Sequence, residues 1–520
     1  MPLHDLARTA LDAAATSSQH ISPIHLALSL LATYLVSYVV YYRYLHPLAG
    51  YPGPFWASLT NFWKVYECWT MALPSRMCDV HARYGPVVRI GPNDLMFNGG
   101  ETIAPIYKAG RKMPKGVFYD SFVSTVPEIF STRDENFHTM RLKQIGQGFS
   151  PAALKNMEPM FDRHIQNLMG SLEKHARNGT VLDLKQALAF YGYDVTGQLA
   201  FDHNFETQVM DDPDKMPPLN NHFFLGNIYG CVANLLPWVR NWTAWLPWVQ
   251  KMIKSRIELT GIAAECIARG MQRHNDKAEP GTLLAALIGA TNPDTGEKLT
   301  AEEINSESFL FLVAGAHTTS SALVVLLFHL LHNKQILNKF IQEIDAVLPG
   351  QEYHVYPFKG LEASLPYGMA CIREAFRIAP TAALLLPRVV TSPEGARIGQ
   401  WHIPQGTNCA IVSTCLHHNP DIWGPSHNEY DPLRFVAGSE RYNAMYHTYL
   451  LHFGQGNRQC IGRNIALMSI WKILVSVLKN YEFELVDPDE KFVMLEYGVG
   501  DKKGPLHVRV RRRGAIEPRP

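Results

Sequence analysis

A mainly α-helical body, with a small strand-rich region and one membrane-crossing helix ahead of it, is what this sequence predicts. Three observations point there. Ile24 to Tyr42 holds no formally charged residue and is long enough to cross a bilayer as a helix. From about residue 134 to 345, apolar residues recur at spacings of three and four, the period of helices buried on one face. Tyr84 to Phe97 reads differently, as two short strands joined at a Gly-Pro-Asn-Asp turn.

Composition sets outer bounds. The 520 residues are 47% hydrophobic and 18% charged, a globular balance that can bury a large core. Length alone allows roughly two to four domains, yet no Gly/Ser linker, acidic tail, repeat or low-complexity stretch divides the chain. Lys plus Arg number 48 against 47 for Asp plus Glu, so the basic footprint of a nucleic-acid binder is missing. Eight cysteines, none in a Cys-x-x-Cys pair, argue against a disulfide framework and for a reducing compartment. Cys409, Cys415, His417 and His418 lie close in sequence but match no common zinc spacing.

In chain order, the apolar segment comes first. Its tyrosines at 38, 41 and 42 gather at one end, where an aromatic belt would lie. Arg43 and His46 follow, which places the C-terminal bulk in the cytoplasm. The apolar run is too long for a signal peptide and lacks its small-residue cleavage site. His46 to Pro54 is proline-rich and stiff. These features divide the chain into a segment 1–23, an anchor 24–42, a hinge 43–54, one domain 55–513 and a tail 514–520.

Farther on, residues 237–248 hold four of the ten tryptophans. They read either as interhelical packing or as a loop dipping into the membrane interface. The sequons at Asn178 and Asn241 stay unused in a cytosolic orientation. Phe309 to Leu331 is a long apolar helix interrupted by Ala314-Gly315-Ala316-His317-Thr318-Thr319. Glycine and threonine lower its propensity there, so a local widening with a free hydroxyl is expected. Arginines at 509, 511, 512 and 513 alternate with valines at the end of a strand.

Cys460 stands in Phe453-Gly454-Gln455-Gly456-Asn457-Arg458-Gln459-Cys460-Ile461-Gly462. Glycines at 454, 456 and 462 let a loop lie flat against a large planar ligand. Arg458 supplies a cation for a carboxylate on that ligand's rim. The apolar run from Arg463 to Leu474 is helical, so the sulfur precedes a helix N-terminus that favours thiolate. That is a cysteine suited to hold an iron.

The pattern Phe453-x-x-Gly456-x-Arg458-x-Cys460-x-Gly462 resembles the haem-binding signature of the cytochrome P-450 family, the haem-thiolate monooxygenases. The resemblance implies that family's fold, a large helical domain with a small β-rich region. It implies haem b, with Cys460 as the axial iron ligand and Phe453, Gly456, Arg458 and Gly462 around the cofactor. Residues 314–319 resemble the Ala-Gly-x-acid-Thr-Thr of the helix above the haem. Gly315 would then leave room for O2, and Thr318 would hydrogen-bond and relay protons. His317 departs from the pattern, replacing the acid. It lies about 100° around the helix from Thr318 and would link the site to solvent.

Glu374 and Arg377, three apart on a helix, share a face. Tyr430-Asp431-Pro432-Leu433-Arg434-Phe435 resembles the family's Pro-Glu-Arg-Phe element, with Leu433 where glutamate is usual. Glu374, Arg377 and Arg434 would form a buried cluster supporting the haem loop. Phe137 to Arg141 lies where the family often has Trp-x-x-x-Arg, so either His138 or Arg141 would meet a haem propionate. The pocket would be lined by residues 118–123, 381–386 and 497–499. Ala382, Ala383, Leu384 and Leu385 carry no charge, which implies an apolar or weakly polar substrate.

The reading is a monooxygenase anchored in the endoplasmic reticulum membrane, its catalytic domain cytosolic, acting on a lipophilic small molecule of fungal secondary metabolism. No flavin or dinucleotide fingerprint occurs. Electrons from NADPH would come through a separate flavoprotein reductase, with cytochrome b5 as an optional second partner. Two rivals stand beside it: a haem-thiolate isomerase or dehydratase needing no O2, and a non-catalytic haem protein that binds ligands.

Overall fold

The computed structural model describes residues 23–514 except 109–111, 217, 278–280, 349–354, 383 and 437–439, and leaves out the side chains of 220, 273–277 and 440–444. The expected segment before Pro23, the tail beyond Gly514 and Ala383 of the expected pocket lie outside the described residues.

Pro23–Val40 is α-helical, and Tyr41–Leu45 continues it as a wider π turn. Ile24, Leu28, Leu31 and Leu35 are each more than 50% exposed, so most of this apolar helix is uncovered. By length and composition it is a candidate membrane span. Its C-terminal end is tied down. The Tyr38 hydroxyl donates to the Leu59 carbonyl at 2.7 Å. Arg89 is 1% exposed and donates to the carbonyls of Tyr42 at 2.7 Å and Pro92 at 2.8 Å. The stretch expected as a hinge is seated rather than free. Leu48 is buried, and the Arg89 amide donates to the Pro52 carbonyl at 2.7 Å. A buried guanidinium must find acceptors, and the chain leaving the anchor supplies one of them.

A second helix, Ala301–His332, is also apolar enough to span a membrane, but 67% of its most apolar window is buried. It is the spine of the body. Thr300 and Glu303 form a reciprocal capping box at its start. Glu302 and Glu303 meet the positive end of its dipole, and His329 and His332 close the other end. The cap extends the helix N-terminally of the expected Phe309. The helix also runs unbroken through residues 314–319, where an interruption was expected. Packing overrides the local propensity there. The Leu184–Phe201 helix crosses it so closely that a Cβ on Gly192 would press on the Ala316 carbonyl at 2.5 Å.

Val87–Gly91 and Asp94–Phe97 form the expected strand pair, antiparallel with Val87 opposite Phe97. Asp94–Phe97 continues in parallel to Asn408–Ala410, which pairs antiparallel with Arg388–Val389. A second sheet sets His507–Arg512 between Val181–Asp183 and Tyr481–Leu485. Val508 and Val510 point into the core while Arg509 and Arg511 face out, so the alternation in the sequence is the alternation of the pleat.

The tryptophan-rich stretch divides between its two readings. Trp238, Trp242 and Trp245 are 63%, 69% and 71% exposed on or just after the Leu236–Thr243 helix. Trp248 instead packs edge-on against Trp69, with ring centroids 4.5 Å apart.

Candidate active site

The cysteine loop closes on itself. Gly454 and Gly456 take φ of +69° and +75°, the left-handed region that glycine enters freely. A Cβ at Gly456 would overlap the Tyr107 carbonyl. The Gly454 amide donates to the Leu451 carbonyl and the Cys460 amide to the Phe453 carbonyl, each at 2.8 Å. Cys460 is exposed, although the helix it precedes, Arg463–Asn480, is buried from Leu467 onward. Burial by surrounding protein pushes its thiol up, while the N–H groups of Gly462 and Arg463 and the Arg463 guanidinium pull it down. The sulfur is thus reachable from outside the fold and lies beside the amides of Gly462 and Arg463.

Beneath the loop lies an ion cluster. On the Pro366–Ile378 helix, Arg377 donates to both Glu374 oxygens, at 2.7 and 2.8 Å. It also donates to the carbonyls of His417, His427 and Glu429 at 2.7, 2.7 and 2.9 Å. Arg434 Nε lies 3.3 Å from Glu374, and Arg434 Nη1 donates to the Trp423 carbonyl at 2.9 Å. Glu374 and Arg377 are fully buried, where only a complete set of partners is tolerable. Burial raises the Glu374 carboxyl, and Arg377 is the strongest opposing influence. The cluster reaches the loop through His417, whose Nε2 accepts from the Leu451 amide at 2.8 Å. Burial and Arg377 hold that imidazole neutral, well below its ordinary range. His417 is therefore a strut. Among the described residues no group of cysteine, histidine and carboxylate could hold a metal ion.

Arg458 is not free. It donates to Glu135 at 2.9 and 3.1 Å and to the Ile129 carbonyl at 3.3 Å. Lys115 and Arg388 belong to the same buried group, with Glu128 beside them. Burial, Arg388 and Arg458 push Lys115 well below its usual range. His138 is pushed down to about 4 by burial, then by Arg458 and Lys115, and its Nδ1 has no partner. The pressure of Arg388 and Arg458 on Lys115 marks a site that Glu128 and Glu135 do not balance and that an added anion would relieve. Arg141 faces elsewhere: it pairs with Glu303 and lies 3.3 Å from Glu307, at the start of the long helix. The two candidates offered by the sequence therefore separate, and only His138 adjoins the cations. The sequence did not single out Lys115, Arg388 or Glu135, and it set His417 only beside Cys409, Cys415 and His418. The one local signal is Arg388, an arginine inside the apolar run Leu384 to Val390.

On the long helix, Ala314 is exposed and Gly315, His317 and Thr318 partly so, between buried Val313, Ala316 and Ser320. Exposure in mid-core opens this stretch onto a cleft. The Thr318 hydroxyl donates to the Ala314 carbonyl at 2.7 Å, so it is bonded to backbone, contrary to the free hydroxyl expected. Its lone pairs remain acceptors. Gly315 also differs from expectation. A Cβ there would meet the Thr196 methyl at 3.0 Å, so its missing side chain is filled by the crossing helix rather than left as open room.

The three expected pocket segments converge. Ala382 bridges Val499, and the Gly500 amide donates to the Thr381 carbonyl at 2.8 Å. Gly498 takes φ +103°, and a Cβ on it would lie 3.1 Å from Leu384 and 3.4 Å from the Phe223 carbonyl. Phe118 and Phe122 fit against Gly230 and Gly226 of that same Leu219–Cys231 helix.

These residues fit a haem. An accessible sulfur lies beside two backbone amides, flat glycine turns cradle it, and the crowded basic groups suit the two carboxylates of the macrocycle. Comparison with known proteins agrees. The family model described as cytochrome P-450 matches residues 50–508. Cytochrome P-450 monooxygenase gsfF of Penicillium aethiopicum is 28% identical over 92% of this chain and 97% of its own length. Cytochrome P-450 monooxygenase cicH of Emericella nidulans is 29% identical over 89% and 93%. Pisatin demethylase of Fusarium vanettenii is 26% identical over 88% and 87%. The chain belongs to the cytochrome P-450 family.

Proposed function

We propose a membrane-anchored haem-thiolate monooxygenase that places one oxygen atom of O2 into a lipophilic small molecule of fungal secondary metabolism. The observation that carries it is the accessible Cys460 sulfur beside the Gly462 and Arg463 amides, in a loop braced through His417 on the Glu374–Arg377–Arg434 cluster. Cys460 would hold the iron, with His138, Lys115, Arg388 and Arg458 on the side of the propionates. A haem so held supplies oxygen activation, in which two electrons and two protons reduce the second oxygen atom to water. The chain's own residues do the rest. Phe118, Phe122, Leu384 and Val499 offer the substrate an apolar wall and keep water away. Thr318 presents its hydroxyl lone pairs to the cleft as acceptors, and it passes a proton on once its O–H turns away from the Ala314 carbonyl.

Electrons would reach the site from NADPH through a separate flavoprotein reductase, with cytochrome b5 as an optional donor. The relatives named as monooxygenases, and one named for demethylating pisatin, support oxidation of a small organic molecule. The body would sit on the cytosolic face of the endoplasmic reticulum. Phe55, Trp56, Phe62 and Tyr66, on the two helices after the hinge, are 48–65% exposed. Trp69 joins that surface to the tryptophan-rich stretch through Trp248, so the anchor and Trp238, Trp242 and Trp245 would enter one interface together.

Cys460→Ala tests the assignment. The reduced carbonyl complex of the parent should show the red-shifted Soret band of thiolate ligation, and the variant should lack it. A thiolate band retained in the variant would remove Cys460 from the iron. Oxygen and NADPH consumption with reductase separates this function from an isomerase, which would consume neither.

A further inference from the structure

His317 stands where the family pattern has an acid, and the fold brings an acid to it from far along the chain. Asp501 Oδ1 lies 3.9 Å from His317 Nε2. Asp501 Oδ2 lies 2.7 Å from Lys185 Nζ. The three side chains are 11%, 14% and 23% exposed for His317, Asp501 and Lys185. Asp501 is on the short strand Gly500–Lys502, and that strand is pinned to the long helix. Ser321 Oγ donates to the Gly500 carbonyl at 2.5 Å, one turn beyond His317. Lys185 also donates to the Lys502 carbonyl at 2.5 Å, so it holds both the carboxylate and the backbone beside it. The gap of 3.9 Å is too long for a direct hydrogen bond and suits one bridging water or a small ring movement.

We propose that Asp501, held by Lys185, is the positioning residue for His317, and that Lys185, Asp501 and His317 carry protons from the surface to the cleft at Thr318. A carboxylate facing Nε2 keeps the ring proton on that nitrogen and leaves Nδ1 to accept on its other side. The acid is thus displaced from the helix to a neighbouring strand, and imidazole bridges the distance. The charged and titratable groups facing the pair are Lys185 and Tyr193 from the Leu184–Phe201 helix and Tyr497 beside the strand. Both phenols are pushed up by burial and then by Asp501, so they stay protonated near neutral pH. Burial lowers the imidazole of His317, Asp501 opposes that, and Lys185 adds to it.

Those opposite influences give a test that a merely structural role would not satisfy. The inference rests on the monooxygenase reading, so the parent holoenzyme must first show thiolate ligation and oxidise NADPH with its reductase. Failure there overturns both. The titration of His317 is followed by ring ¹³C resonances in the diamagnetic reduced carbonyl form. The pH profile of NADPH oxidation without added substrate is recorded over roughly pH 5.5 to 8.5, the imidazole range. Asp501→Asn should move His317, and the acidic limb of the profile, down by on the order of one unit, because it removes the neighbouring anion. Lys185→Met should move both upward, and Asp501→Glu should restore the parental profile. In a His317→Ala background, Asp501→Asn should have no further effect. Shifts in the same direction for both variants, an unmoved profile, or additive effects with His317→Ala would overturn the proposal. Should Asp501→Asn lose its haem, Lys185→Met alone decides: an upward shift supports the relay and none refutes it.

Discussion

Arg377 draws several distant segments together. Its guanidinium holds Glu374 and the three carbonyls of His417, His427 and Glu429, which come from the chain leading to the cysteine loop. Lysine keeps the charge but has neither the fork nor the number of donors. Arg377→Lys should leave Glu374 and the three carbonyls short of donors in a fully buried site and cost about 1–3 kcal/mol. Chemical denaturation would read that loss directly. Haem content should fall with it, because His417 carries the loop at Leu451. Unchanged stability with full haem content would show that the cluster does not support the loop. Gly315 teaches a different point at this scale. Its place in a family-like pattern spoke of oxygen, whereas its surroundings speak of Thr196 and a close helix crossing.

Among the elements, the anchor and the Leu236–Thr243 helix divide one task. The first presents an apolar cylinder that the body touches near its C-terminal end, through Tyr38. The second buries Val239 and turns Trp238 and Trp242 outward. Removing residues 1–45 should therefore release the protein from membranes only in part. Adding Trp238→Ala, Trp242→Ala and Trp245→Ala should release the remainder, as read by co-sedimentation with phospholipid vesicles. Complete solubility after the truncation alone would leave the tryptophans without a membrane role. The Ala301–His332 helix shows why apolarity does not identify a span by itself. It is as apolar as the anchor, but it is surrounded by protein and begins at a capping box.

The whole molecule carries a pH dependence set by buried neutral imidazoles. His329 and His452 are each pushed down to about 3, chiefly by burial, and His417 is lowered too. A group lowered in the folded state stabilises fully above its unfolded value, about 6.5, and that contribution is lost as pH falls from there toward the folded value. Each such histidine should cost up to about 1.4 kcal/mol per pH unit across that window. Glu307 and Glu496, pushed up to about 8 and about 9 chiefly by burial, act in the opposite sense and lower stability as pH rises toward 8. Stability by urea denaturation should therefore pass through a maximum near neutral pH and fall toward about pH 5, as the buried imidazoles outnumber those two carboxyls. Stability that rises steadily as pH falls from about 6.5 to 5 would mean that these imidazoles are protonated in the fold. The stacking of His452 on Phe376, with centroids 3.8 Å apart just ahead of Phe453, links this loss to the cysteine loop.

Local pattern determined much of this protein. The uncharged run Ile24–Tyr42, the turn between the first two strands, the alternation of arginine and valine before Arg513 and the spacing around Cys460 each act within a few residues, where period and backbone geometry dominate. The pair Glu374 and Arg377 is of the same kind, because one helical turn separates them. What only the tertiary structure decided is where charge finds its partner across long separations. Glu135 takes Arg458, Arg141 turns to Glu303 and Glu307, Lys115 and Arg388 join His138, and Asp501 arrives beside His317. Buried charge must be matched wherever the packed helices and strands bring a partner. Because that match depends on how elements far apart in the chain come to lie together, it leaves no periodic trace in the sequence.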